Sequence, residues 1–568
     1  MPIAFDRYLD NAALRAELQA LADAFPHLLA IESLGQSFEG RDIPVVVVTR
    51  RDADRSDLEK PAFWVDANIH ATEVTGTMAA LKLLDLATSR YGIDPVVTRT
   101  LDTQVLYVVP RLNPDGAARA LAAAPQFLRS GTRPYPRPER EPGLHAEDID
   151  GDGRILQMRV VDPAGDWKVS PRDPRLMLKR GPFDEGETFY RLLPEGIIED
   201  FDGHTIPIAR PLEGLDFNRN FPSGWRPEGE QGGAGEHPGS EPEIQAVLRF
   251  VAGHPNIFGA LTYHTYSRAL LRPFSGRPDA EMDQNDLWLY EAIGKHGTQV
   301  TGYPAVSVYQ HFRYHPKQVI SGAFDDWMYE HHGVLAFTVE LWDLPDAAGV
   351  TGKNADKRFI EWMRDHPVED DHRILDWVDA HAPDALQPWR AFAHPQLGPV
   401  ELGGWHAMYS WRNPPPALLE AEITPVAEFS LDFAALGPRL AWHDVTVETL
   451  GAELYRVTAV IENLGFLSTS GSRRAREAGR ARPLELRIVL PDGARLESGQ
   501  PRVPAGHLEG RDNKLGVTFG SSPTDNRHRV DWLLRAPAGT RVELVAASDR
   551  AGTLRATIRL PDDAVAGS

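Results

Sequence analysis

The pattern of apolar residues predicts an α/β protein: a largely parallel or mixed sheet with helices on both faces, followed by an all-β sandwich. Three observations carry this. Apolar, β-branched runs alternate with stretches of helical period over residues 11–341. Strand and helix in alternation is the signature of a sheet covered on both faces. After Gly437 the pattern changes to short segments with two-residue alternation, separated by turn residues.

In chain order, residues 11–24 form an amphipathic helix, residues 35–40 a turn, and Ile43 to Thr49 a β-branched strand. Pro61 to Val65 reads as a buried strand, and Val74 to Ala87 after it has helical spacing. Val105–Val109, Ile257–Tyr263 and Val334–Leu341 supply further strands, and 241–252, 284–299 and 323–331 further helices. Residues 117–215 break the alternation with an insertion rich in Pro, Arg, Asp and Gly, and a segment of that length is usually functional or carries structure of its own. Residues 346–415 read as Pro- and Trp-rich irregular structure, closed by Pro414-Pro415-Pro416 and a final helix. Beyond Gly437, the segments Trp442–Thr449, Leu454–Glu462, Leu484–Leu490, Lys514–Phe519, His528–Leu534, Arg541–Ala547 and Leu554–Leu560 have the length and spacing of an immunoglobulin-like β-sandwich. The basic run from Arg473 to Arg482 reads as a solvated loop within it. The expected division is therefore 1–436 and 437–568.

Composition narrows the chemistry. The chain of 568 residues is 42% hydrophobic and 25% charged, as globular proteins are, with room for more than one core. A net charge of −21 argues against nucleic acid or an anionic membrane surface as partner. With no cysteine, disulfides, thiolate ligands and thiol nucleophiles are excluded, so any metal must be held by His, Asp and Glu. The amino terminus has no basic segment followed by an apolar one, so the expected location is cytoplasmic, or secreted or periplasmic if a leader has been removed.

The stretch Asp66-Ala67-Asn68-Ile69-His70-Ala71-Thr72-Glu73 places His70 and Glu73 in the turn after a buried strand, where open α/β sheets build their sites. An imidazole and a carboxylate three residues apart at such a turn can reach one Zn²⁺ and leave it short of a third protein ligand. His-x-x-Glu alone is a weak signal. Four further stretches strengthen it: Val109 to Gly116 with an Asn-Pro-Asp-Gly turn, Asp216-Phe217-Asn218-Arg219-Asn220, the strand end Thr262-Tyr263-His264, and Phe337-Thr338-Val339-Glu340-Leu341. Inside the insertion, Asp148-Ile149-Asp150-Gly151-Asp152-Gly153 matches the first half of a Ca²⁺ loop. Its twelfth position is Arg159, so a bidentate ligand would have to come from elsewhere, Glu147 and Asp162 being two candidates. Ca²⁺ held by Asp148, Asp150 and Asp152, and an ion-free loop of Asx turns, both stay open.

In this order and with these residues, residues 5–345 resemble the zinc carboxypeptidases of the carboxypeptidase A and B family, apart from the insertion. The resemblance implies an eight-stranded mixed sheet and a metallocarboxypeptidase that hydrolyses the C-terminal peptide bond of a peptide with a free carboxylate. It assigns His70, Glu73 and His264 to zinc and Glu340 to the general base, and it gives Asn218 and Arg219 the terminal carboxylate. Arg129 is the best match to the family's oxyanion-stabilising arginine, with Arg133 second. Tyr309 matches the mobile tyrosine, with Tyr314 the alternative. Asp325 falls where the specificity residue lies, and an acid there implies a basic C-terminal residue. Two rival readings stand beside this one: a relative acting on cell-wall peptides or amides with a diaminopimelate-type amine, and a zinc-containing binding protein without catalysis.

Overall fold

The computed structural model describes residues 3–51, 55–313, 317–350, 361–512 and 520–562. Eight strands form the central sheet: β1 (Leu29–Gln36), β2 (Asp42–Val48), β3 (Ala62–Ala67), β4 (Val105–Val109), β5 (Ile257–Thr265), β6 (Ala269–Arg272), β7 (Ala305–Ser307) and β8 (Leu335–Leu341). Their order is β1-β2-β4-β3-β5-β8-β6-β7. The middle four are parallel to one another, and antiparallel pairs flank them. The sheet is therefore mixed, with a parallel centre. Every residue of β3, β4, β5 and β8 is buried, which is why those runs are apolar without alternation.

Helices cover both faces. Asn11–Ala24, Thr75–Arg90, Gln284–Thr301 and Leu419–Ala434 pack their apolar sides on one face, around Phe63, Leu261 and Phe337. Pro242–Gly253 and Phe324–His332 pack on the other, around Trp64, Tyr107 and Ala336. No helix among the described residues is long and apolar enough to cross a membrane.

The insertion and the segment read as irregular depart from expectation together. The strands Gln157–Val161, Trp167–Val169, Met177–Lys179 and Phe189–Pro194 join the hairpin Leu386–His394/Gly398–Trp405 in one six-stranded sheet. Residues 368–381 are helical. Each set of strands is short and completes its pairing only with the other, far away in sequence, so neither half showed a pattern of its own.

Residues 440–559 form two four-stranded antiparallel sheets around a separate core that includes Tyr455, Leu486, Trp532 and Leu544. Arg495–Ser498 and Arg502–Gly506 are strands without a sequence counterpart, and Lys514–Phe519 lies outside the described residues. The basic run is not a solvated loop. Arg473–Glu477 is a short helix against the central sheet's helices, where the buried Asp286 accepts the backbone N–H of Arg473 (2.8 Å) and Arg474 (2.9 Å) and the Tyr329 hydroxyl (2.9 Å). Gly333 lies beneath this helix at φ +60°, and a Cβ there would sit 2.3 Å from the Ala475 nitrogen, so only glycine fits. Asp286→Ala strands those donors at a buried seam. It should lower the unfolding free energy by about 2–4 kcal/mol, read as a lower urea midpoint.

Candidate active site

Three adjacent parallel strands deliver the site at their carboxyl ends. His264 on β5 is the direct register partner of Glu340 on β8, and β3, on the other side of β5, leads into the turn holding His70 and Glu73. All four side chains are buried. His70 Nδ1 lies 3.0 Å from Glu73 Oε1 and 3.0 Å from His264 Nδ1, and His264 Nδ1 lies 3.1 Å from Glu73 Oε2. Donors around a tetrahedral zinc at about 2.0–2.1 Å sit roughly 3.3 Å apart, so three donors turned onto one point at these separations fit that ion. Two ring nitrogens aimed at each other and at a carboxylate have no such reason to converge in an ordinary core.

The surrounding groups orient the ligands. The other nitrogen of His70, Nε2, faces Asp216 Oδ1 at 3.1 Å, and that of His264 faces Thr262 Oγ1 at 3.3 Å. A proton on His70 Nε2 donated to Asp216 leaves Nδ1 bare for a metal. Burial pulls the His264 pKa down to about 4, which keeps its imidazole neutral. Burial alone would raise Asp216, but Arg129, Arg219 and His70 hold it well below the usual carboxylate range. Glu340 goes the other way: burial and then Glu73 push it well up, against Arg129, Arg412 and Arg219. A dication at the triad would reverse much of that push. Glu340 Oε2 is buried with no hydrogen-bond partner among the described residues.

The Asn-Pro-Asp-Gly turn explains why Arg129, and not Arg133, stands at the site. Asn113 Nδ2 donates to the carbonyls of Ser130 (2.8 Å) and Ile69 (3.3 Å), and the Ala71 N–H donates to Arg129 O (2.8 Å). Gly116 permits this approach, since a Cβ there would lie 2.7 Å from the Ala71 side chain. Arg129 donates Nε to Asp216 (2.9 Å) and Nη1 to Glu73 (3.2 Å). Arg133 is held away by Glu241 and Glu236.

A pocket opens beside the triad. Its walls include His70, Arg129, Asn218, Arg219, His264, Asp325, Thr338 and Glu340, with Leu271, Val308, Phe312 and Ile320 as apolar lining. Asn218 Oδ1 accepts the Phe324 N–H (2.8 Å), which ties it to the helix carrying Asp325. Asp325 is 2% exposed, its Oδ2 has no partner among the described residues, and burial raises its pKa to about 6.

Other expected residues are not brought there. Tyr309 sits in the short helix Val308–His311 with its ring under the Arg313 guanidinium (4.2 Å), and Val308 and Phe312 line the pocket instead. A one-turn helix sends neighbouring residues in different directions. Tyr314 lies outside the described residues. In the insertion loop, Asp148 and Asp150 converge with the buried Glu195, not with Glu147 or Asp162. Arg390 from the partner hairpin ion-pairs Asp150 and Asp152, so the loop already has a cation of its own and the geometry lends calcium no support.

The fold and site define a mixed α/β sheet with a three-donor cluster suited to a metal ion at the carboxyl ends of its parallel strands. The zinc carboxypeptidase profile matches residues 14–352, and the chain belongs to that family of hydrolases acting on peptide bonds. A second profile, a domain of unknown function, matches residues 439–559. Among similar proteins, carboxypeptidase A2 of Rattus norvegicus is 24% identical over 381 residues, covering 64% of this chain and 72% of the relative. Carboxypeptidase B2 of Homo sapiens is 23% identical over 373 residues, covering 63% and 67%. The crystal structure of carboxypeptidase A from Helicoverpa armigera superposes with a TM-score of 0.39 at 18% identity, covering 67% of this chain and 76% of that one.

Proposed function

We propose that this chain is a zinc-dependent carboxypeptidase that removes a basic residue from the free C-terminus of a peptide. The observation that carries the reading is the shared pocket: His70 and His264 of the three-ligand cluster, with Glu340, line the same space as Arg219 and Asp325.

His70, Glu73 and His264 would hold Zn²⁺, which would supply a Lewis acid for a carbonyl and lower the pKa of a water. Glu340, whose Oε2 is free, takes the proton of the attacking water and returns it to the leaving amine. Arg129, oriented by Asp216 and Glu73, lines the pocket and brings its positive charge toward the oxygen on which negative charge develops. Asn218 and Arg219 bind the terminal carboxylate, for which a planar guanidinium is the matched partner. Asp325 Oδ2 accepts the ammonium or guanidinium of the last side chain, which satisfies an otherwise unpartnered buried oxygen.

Paired peptides test this. A peptide ending in Lys with a free carboxylate should be cleaved on the order of 100-fold faster than its amide, because the Arg219 contact is lost in the amide. In Asp325→Ala the kcat/KM preference for Lys over Phe should fall by roughly 10- to 100-fold, the worth of a charge-assisted hydrogen bond. An unchanged preference removes Asp325 from specificity, and equal rates on the amide move the protein among endopeptidases or amidases.

A further inference from the structure

The segment that follows the second sheet's hairpin returns to the metal turn. Asn413, fully buried, donates Nδ2 to Thr72 O (2.8 Å) and accepts at Oδ1 from the Thr75 N–H (3.1 Å) and hydroxyl (2.8 Å). Its neighbour Arg412 is thereby fixed beside the site. The Arg412 guanidinium lies over the Tyr266 ring at 5.0 Å, and Tyr266 is two residues beyond His264.

Arg412 differs from the other arginines here. Arg129 pairs with Asp216 and Glu73, Arg219 has Asp216 at 3.9 Å, and Arg268 pairs with Glu422 and Asp346. The Arg412 side chain has no hydrogen bond or ion pair among the described residues. Stacking on an aromatic face fixes the plane of a guanidinium while leaving its N–H edges free, which lowers the ordering cost of binding an anion. Neither Arg412 nor Tyr266 lines the pocket that holds Arg219 and Asp325.

We infer that Arg412 is a specificity residue that binds a carboxylate on the substrate immediately N-terminal to the scissile bond, giving a preference for Asp or Glu as penultimate residue. The inference rests on the carboxypeptidase reading, in which the pocket holds the last residue and the space outside it holds the preceding one. With a net charge of −21 the overall field repels acidic peptides, so an acidic preference requires a local cation such as this one.

Acetyl-Glu-Lys and acetyl-Gln-Lys differ in one charge and nearly nothing in shape, and serve as the test pair. In the zinc-loaded protein, kcat/KM should favour the Glu peptide by about tenfold, as a half-exposed charge-assisted contact allows. The ratio should fall to near one in Arg412→Gln and recover in part in Arg412→Lys. Dissociation constants for the same pair, measured by titration calorimetry in a Glu340→Gln background, should show the same ratios without turnover. Equal affinity for the two peptides with Arg412 intact, or a Glu preference that survives Arg412→Gln, overturns the inference. Absence of hydrolysis with the binding ratio preserved overturns the carboxypeptidase reading instead. A merely structural role for Arg412 would weaken both peptides alike and leave the ratio unmoved.

Discussion

Glu340→Gln should keep its zinc and lose turnover by on the order of 10⁴-fold, the upper range for a group that serves as base and then as acid. The amide matches the carboxylate in size, so β8 and its pairing with His264 are undisturbed. The change also removes a buried carboxylate beside Glu73, which costs the protein a like-charge contact and nothing in ligands. Metal analysis should therefore give unchanged zinc content, with kcat as the quantity that falls. Near-normal kcat would remove Glu340 from the chemistry.

His264→Ala should act on the metal itself. Zinc sites of four ligands bind with about 12 kcal/mol, about 3 kcal/mol per ligand, so losing one ligand costs about 3 kcal/mol, or roughly 10²-fold in affinity. The variant should lose zinc on dialysis against a competing chelator that leaves the wild type loaded, and its activity should follow its metal content. His70→Ala should be more severe, because His70 also faces Asp216, which with Glu73 fixes Arg129. Intact zinc affinity in either variant would place the ion elsewhere.

The parts of the molecule legible in the sequence are those set by short-range pattern. His70, His264 and Glu340 each end an apolar run, so the strand and the residue after it could be read together, and Val105–Val109 is a strand over those very residues. What escaped depends on side chains reaching across the chain. The sequence favours Arg129 over Arg133, but the bonds that hold each in place, Asn113 to Ser130 and Ile69 and Arg133 to Glu241, are not legible there. Arg412 lies 339 residues from Glu73 in a segment with no periodicity, and only the Asn413 clamp on Thr72 and Thr75 brings it to the site. The six-stranded second sheet escaped for the same reason, because its register pairs Arg159 with Glu401. Tyr309 lies in a one-turn helix whose neighbours Val308 and Phe312, not Tyr309 itself, line the pocket.

The most direct measurement is the rate of Lys release from a free-ended peptide before and after chelation, with zinc then returned in measured equivalents. A single metal held by His70, Glu73 and His264 predicts loss of activity on chelation and full recovery at one zinc per chain. Undiminished hydrolysis by protein shown to hold no metal would contradict it.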